Sequence, residues 1–250
     1  MYRPHDPVIA CGAQAVLVPT IGVSTVTTSQ DPIRSRPIQI NQIPWVEGAS
    51  GMRTRPIWED PATDRKAHIV EFEPGAHMPL HRHAGHELIY LIEGSLTDEF
   101  GTIRPGNIAY RPDGCVHSNT SPNGALALAI IAGGNEPATE IGDAPGSQIF
   151  VPEDLPWVKT PRGTYTKRIV ANEAADWAVA INRFPSRAGI PLHRHHGDEL
   201  IFVIEGASVD EAGSITPGNM SYRPNGTEHS VKTELGATVF GVVWGSTEPL

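Results

Sequence analysis

One block of this chain is written twice, and that repetition constrains the fold more than anything else in it. Residues 79–94 read PLHRHAGHELIYLIEG and residues 191–206 read PLHRHHGDELIFVIEG, with twelve of sixteen positions identical. The same shift of 112 residues brings Pro44-Trp45-Val46 onto Pro156-Trp157-Val158 and RPGNIAYRPDG (104–114) onto TPGNMSYRPNG (216–226). No gap interrupts the span, so both halves must adopt one fold. The repeat divides the chain into an N-terminal extension 1–40, a first unit 41–134, a linker 135–149 and a second unit 150–250. The linker is assigned from its Gly, Pro and small polar residues. The extension has no counterpart, and its apolar part is expected to add a strand to a sheet.

Within each unit the apolar segments are short and closely spaced. AHIVEFEPG (67–75) alternates before a Pro-Gly stop, LIYLIEG (88–94) is an apolar run ending at a turn, and ALALAIIAGG (125–134) alternates small with large residues. None is long or periodic enough for a helix, and 23 prolines and 25 glycines favour many turns. The expected class is all-β, each unit an antiparallel barrel or sandwich. A chain of 250 residues suffices for two such cores.

A net charge of −9 without a basic run argues against nucleic acid or an anionic membrane as partner. No apolar stretch approaches the roughly 20 residues of a membrane helix. Two cysteines, Cys11 and Cys115, exclude a disulfide framework and predict a reducing, cytoplasmic setting. VIACGAQAVLV (8–18) superficially resembles a signal-peptide core. Too few residues precede Cys11, and Asp6 stands where positive charge is expected.

The chemistry lies in the repeated polar residues. On a strand, His81 and His83 share a face, whereas a helix would splay them. The turn Ala84-Gly85-His86 lets Glu87 face back, and His117 arrives from a distant segment. His193, His195, Glu199 and His229 repeat the set. A lone H-x-H is more often a surface or core pair than a ligand set. Here all eight positions persist while Tyr90 becomes Phe202 and Leu91 becomes Val203. Three imidazoles and a carboxylate suit Fe, Zn, Mn, Ni or Cu at about 2.0–2.2 Å. One divalent ion per unit is expected, released on acidification below about pH 5 because only neutral imidazole ligates. His77, His86 and His196 lack histidine counterparts and read as solvated turn residues. Cys115 reads as a buried filler. Tyr110 and Arg111 recur as Tyr222 and Arg223, either lining a pocket or holding a turn.

These residues match the two motifs of the cupin superfamily. Gly75, His81, His83, Glu87 and Gly94 fit the first, and Gly106, Pro112, Gly114 and His117 fit the second. The second unit fits likewise through Gly206, Gly218, Pro224 and Gly226, except that Arg187 replaces the first glycine; Gly189 is expected to take over that turn. The resemblance implies two tandem jelly-roll barrels, each with a metal inside. Its ligands would be His81, His83, Glu87 and His117 in one barrel, and His193, His195, Glu199 and His229 in the other. More narrowly, PLHRH, LIEGSLTDEFG (91–101) and YRPDGCVHS (110–118) resemble ChrR-type cupins. That group includes anti-sigma-factor domains, and it resembles enzymes that cleave diketones and hydroxyketones with non-haem iron and dioxygen. The resemblance thus implies either an iron oxygenase acting on a small oxygenated molecule, with Glu87 and Glu199 as ligand or base, or a zinc-loaded sensor. The absence of a C-x-x-C in residues 1–40 counts against an anti-sigma role. Oligomerisation is open, since a fused pair already mimics the dimer of single-barrel cupins.

Overall fold

The computed structural model describes residues 33–173 and 176–250, and every statement below concerns those residues. The expectations for the apolar segment 8–18, Cys11 and the rest of 1–32 lie outside them.

Each half is built from a seven-stranded and a five-stranded antiparallel sheet. In the first half the large sheet runs in spatial order Gln148–Phe150, Ile108–Arg111, Glu87–Gly94, Ala125–Ala132, Arg65–Phe72, Met52–Asp60 and Val46–Glu47. Its small sheet runs Gly134–Pro137, Ala76–Ala84, Val116–Ser121, Leu96–Asp98 and Gly101–Ile103. Chain neighbours are often not sheet neighbours, which is the crossing pattern of a jelly roll. The second half repeats this arrangement with the same offset: Val46 pairs with Thr54, and Val158 with Thr166.

The apolar run in Glu87–Gly94 is explained by burial on both faces. Ile89 and Leu91 point into the barrel, against Leu96 and Ile103 of the small sheet. Leu88 and Tyr90 point outward into a second core, where they meet Phe202, Met220 and Phe240 of the other half. A strand buried on both sides loses its polar alternation. The alternation of Ala125–Ala132 has the same origin. Ala125, Ala127 and Ala129 face the crowded barrel interior, whereas Leu128 and Ile130 face the other barrel. Each fully buried large aliphatic side chain contributes roughly 1.5–3 kcal/mol.

The Glu-Gly ending also has a steric cause. Gly94 sits at φ +74°, and a Cβ there would stand 2.0 Å from the Gly124 carbonyl oxygen; Gly206 at φ +72° meets the Gly236 oxygen at 2.0 Å. No other residue fits. At the turn where Gly75 has φ +85°, Arg187 itself takes the left-handed conformation, at φ +60°. Gly189, expected to assume that role, instead opens the strand Gly189–His196. The Arg187 N–H donates to the Glu234 carbonyl at 3.2 Å, which fixes the turn without a glycine.

The halves exchange their first strands. Arg36–Ile38 pairs with Met220–Arg223 of the second barrel, and Gln148–Phe150 pairs with Ile108–Arg111 of the first. The repeated frame therefore begins at residue 36, within the span read from sequence as an unmatched extension. The span 135–149, read as a linker, carries ladder pairs at both ends. Gly134 and Pro137 suit the edge of the small sheet, where one side of the ladder has no partner.

Candidate metal centres

His81 and His83 lie on the strand Ala76–Ala84, whose inward residues are buried and whose intervening Arg82 is exposed. His117, on Val116–Ser121, is the ladder partner of His81. Strand pairing thus delivers the third imidazole without any sequence proximity. His193 and His229 are paired in the same way. In each barrel one ring nitrogen from each of the three histidines lies within 4.8 Å of the others, and all six rings are buried. His83 Nε2 and His117 Nε2 approach to 2.8 Å, and His195 Nε2 and His229 Nε2 to 2.9 Å.

The outer hydrogen bonds orient these rings. His81 Nδ1–H donates to the Pro79 carbonyl at 2.8 Å, and His117 Nδ1–H to the Ser118 carbonyl at 2.9 Å. His193 Nδ1–H does the same with Pro191 at 2.9 Å. A neutral ring whose Nδ1 carries the proton presents an Nε2 lone pair, which is the ligating tautomer. Burial disfavours imidazolium, lowering His83 and His193, bringing His195 down to about 4 and His117 to about 2. For His193 the charge of Arg162 adds to the lowering. Neutral, converging, buried imidazoles fit a divalent ion better than they fit one another.

The carboxylates hold a different station. Glu87 Oε2 stands 3.7 Å from His83 Nε2 but is held at 2.6 Å by Arg111 Nη1. Glu199 Oε2 repeats this at 3.8 Å from His195 and 2.6 Å from Arg223. Burial pushes both carboxyls up, but the guanidiniums and nearby imidazoles outweigh it and hold them below the usual range. Neither glutamate joins the sets of atoms within 4.8 Å; each stands beside its cluster.

Arg111 is fully buried and also reaches Asp98 at 3.0 Å and Asn119 at 3.2 Å. Of the two roles open to the repeated arginine, lining a pocket holds for Arg223, which borders a cavity in the second half, and in both halves the guanidinium is also an ionic anchor, for Glu87 and for Glu199. Asp98 was not among the sequence candidates. Its counterpart Asp210 recurs at the same offset, 3.6 Å from His229 Nδ1, and that recurrence was the available signal. Burial pushes Asp210 up, but His229 and Arg223 outweigh it and hold it well below the usual carboxylate range. His86, expected as a solvated turn residue, is half-buried at the barrel junction, bonded to the Tyr110 hydroxyl at 2.8 Å and against Trp177. The junction supplies that burial, which local sequence does not encode. His77 and His196 are exposed, and Cys115 is buried with its thiol pushed up to about 11 by burial.

The second cluster opens to a cavity of about 360 Å³ that reaches His193, Glu199, Arg223 and His229. That volume admits a small organic molecule.

The family model described as the ChrR cupin-like domain matches residues 34–133 and 146–245. No curated protein matches the chain. Among solved structures, a candidate dioxygenase from Nostoc punctiforme superposes with TM-score 0.74 at 14% identity, over 86% of this chain and 84% of that one. A salicylate 1,2-dioxygenase from Pseudaminobacter salicylatoxidans gives 0.61 at 14% identity, over 72% and 71%. A variant of oxalate decarboxylase from Bacillus subtilis gives 0.63 at 15% identity, over 89% and 81%. At these identities the likeness is one of fold.

Proposed function

Because this chain belongs to the ChrR cupin-like family in both of its halves, we propose that it is a bicupin oxygenase. Its substrate on this reading is a small oxygenated molecule such as a diketone or hydroxyketone. The observation that carries the reading is the cavity reaching the second histidine cluster, because a purely structural ion needs no opening. Iron is the ion the reading calls for; bound there, it would polarise a substrate oxygen and bring dioxygen beside it.

The chain's own residues would do the rest. His81, His83 and His117 would hold one ion, and His193, His195 and His229 the other. Glu87 and Glu199 are the candidate catalytic groups. A carboxylate held this low accepts a proton only weakly, so a ligand role stands ahead of a base role. Arg111 and Arg223 would keep those carboxylates ionised and aimed. Ile190, Val231 and Val239 line the cavity and would limit water. A cytoplasmic setting belongs to the same proposal. Among the described residues no helix is long and apolar enough to cross a membrane.

The test is metal analysis of protein purified without chelator, with oxygen uptake measured on a panel of diketones and hydroxyketones. Two iron ions per chain, and uptake abolished by His81→Ala with His193→Ala, are expected. Undiminished uptake in that double variant would remove metal chemistry from both barrels. The family description favours one second reading, a zinc-bound sensor that relays ligand binding to a partner. Two zinc ions with no oxygen uptake would support it.

A further inference from the structure

The two barrels share a frame but not a lining. The hairpin tips 48–52 and 160–164 share a closing hydrogen bond: Gly48 N–H donates to the Met52 carbonyl at 2.9 Å, and Thr160 N–H to the Thr164 carbonyl at 2.8 Å. Their side chains have diverged. Met52, Val70 and Leu96 of the first barrel stand where the second has Thr164, Asn182 and Ser208. The first three pack in the apolar cluster of their barrel; the second three line the open cavity. Thr164 Oγ1 meets Thr160 Oγ1 at 2.8 Å, while Asn182 and Ser208 put an amide and a hydroxyl on the cavity wall where the first barrel has only hydrocarbon.

The charges have diverged in the same direction. Ser50 is replaced by Arg162, an exposed guanidinium on the cavity wall with no ion pair among the described residues. Asn119, which helps to satisfy Arg111, is replaced by Val231. Arg223 also lines the cavity, and its Nη2 faces Asp210 at 3.4 Å, against 3.0 Å between Arg111 and Asp98. The second cavity therefore carries one more positive charge than the first site and a less saturated buried guanidinium.

Resting on the oxygenase reading, we propose that the substrate site lies in the second barrel alone, and that the substrate is an oxo- or hydroxy-carboxylate. Arg162 receives the carboxylate, and the oxo or hydroxy oxygen faces the histidine cluster. Asn182 and Ser208 supply the hydrogen bonds that a polar ligand needs in a narrow cavity. In the first barrel Met52, Val70 and Leu96 take those places, and Ser50 stands where Arg162 does.

Anaerobic calorimetry on the metal-loaded protein tests this with two probes: levulinate and 2,5-hexanedione, which has an acetyl group in place of the carboxylate. Levulinate is expected to bind once per chain and about ten-fold more tightly, the range of a charge-assisted hydrogen bond. Arg162→Gln should remove that preference while leaving bound metal unchanged, and Ser50→Ala should leave both affinities unchanged. Equal affinities, two levulinates per chain, no levulinate binding, or a preference that survives Arg162→Gln would each overturn the proposal. Metal content and oxygen uptake on the same preparation separate it from its premise. A charge preference without bound metal keeps the anion site and defeats the oxygenase, whereas metal and uptake without the preference defeat only the carboxylate.

Discussion

The buried arginines set the electrostatics of both centres. Arg111 is fully buried and compensates two carboxylates at once, Glu87 and Asp98. Arg111→Met leaves both without their counter-ion in a low-dielectric interior. The expected loss is about 3–5 kcal/mol, read from denaturant unfolding of the metal-loaded protein. A loss below about 1 kcal/mol would show that the carboxylates find other partners. Arg187 offers the opposite case. It occupies a left-handed turn at φ +60°, so Arg187→Gly should stabilise the chain by roughly 0.5–1 kcal/mol in the same assay. The imidazoles give the metal-free protein a pH dependence of defined sign. Burial depresses His117 to about 2 and His195 to about 4, against about 6.5 for an unfolded histidine. Their contribution to stability is complete above pH 6.5 and lost as pH falls through that window. The unfolding midpoint of metal-free protein should fall steadily from pH 6.5 to 4; a flat profile would contradict the burial argument. At this scale the histidines were legible in the sequence because strand alternation and the repeat both point to them. The arginines were half-legible. Their recurrence showed in the sequence, but their partnership depends on a sheet that brings residues 87, 98, 111 and 119 together.

Among the elements, the exchanged strands carry the least obvious information. Gln148–Phe150 completes the first barrel's large sheet, and Ile149 packs against that barrel's interior cluster. Ile149→Asp places a charge there and should cost about 2–4 kcal/mol. The loss should appear as faster hydrogen exchange in Ile108–Arg111, which is its ladder partner. Faster exchange confined to the second barrel would instead mean that the strand belongs to its own half. Sequence reading located the central strands well, since 88–94 and 125–132 carry dense apolar signals. It took 135–149 for a linker because its edge strands are only three or four residues long: Gly134–Pro137 resembles a loop in composition, and Gln148–Phe150 is too short to show an alternation. Their ladder partners lie dozens of residues away, where no local pattern reaches.

For the molecule as a whole, the decisive feature is the core that neither barrel owns. Tyr90 stacks on Phe240 at 5.3 Å, Trp58 lies 5.0 Å from Tyr222, and Arg65 bridges the halves through Asp198 at 2.5 Å while covering Trp244. Separating the barrels would expose this apolar face, so neither half is expected to survive the unfolding of the other. Residues 33–250 should therefore melt in one transition despite containing two duplicated units. Coupling follows directly: an ion held at about 1,000 times its dissociation constant adds about 4 kcal/mol to whatever unfolds with it. If that unit is the whole pair of barrels, His193→Ala should lower the single midpoint by about 10 °C. Hydrogen exchange should then rise in the first barrel as well as the second. Calorimetry of the metal-loaded variant decides the matter. Two resolved transitions, with only one displaced, would mean that the barrels are independent and the aromatic junction is mere contact. One displaced transition would mean that each metal stabilises the other's site through the shared core, with no ligand passing between them.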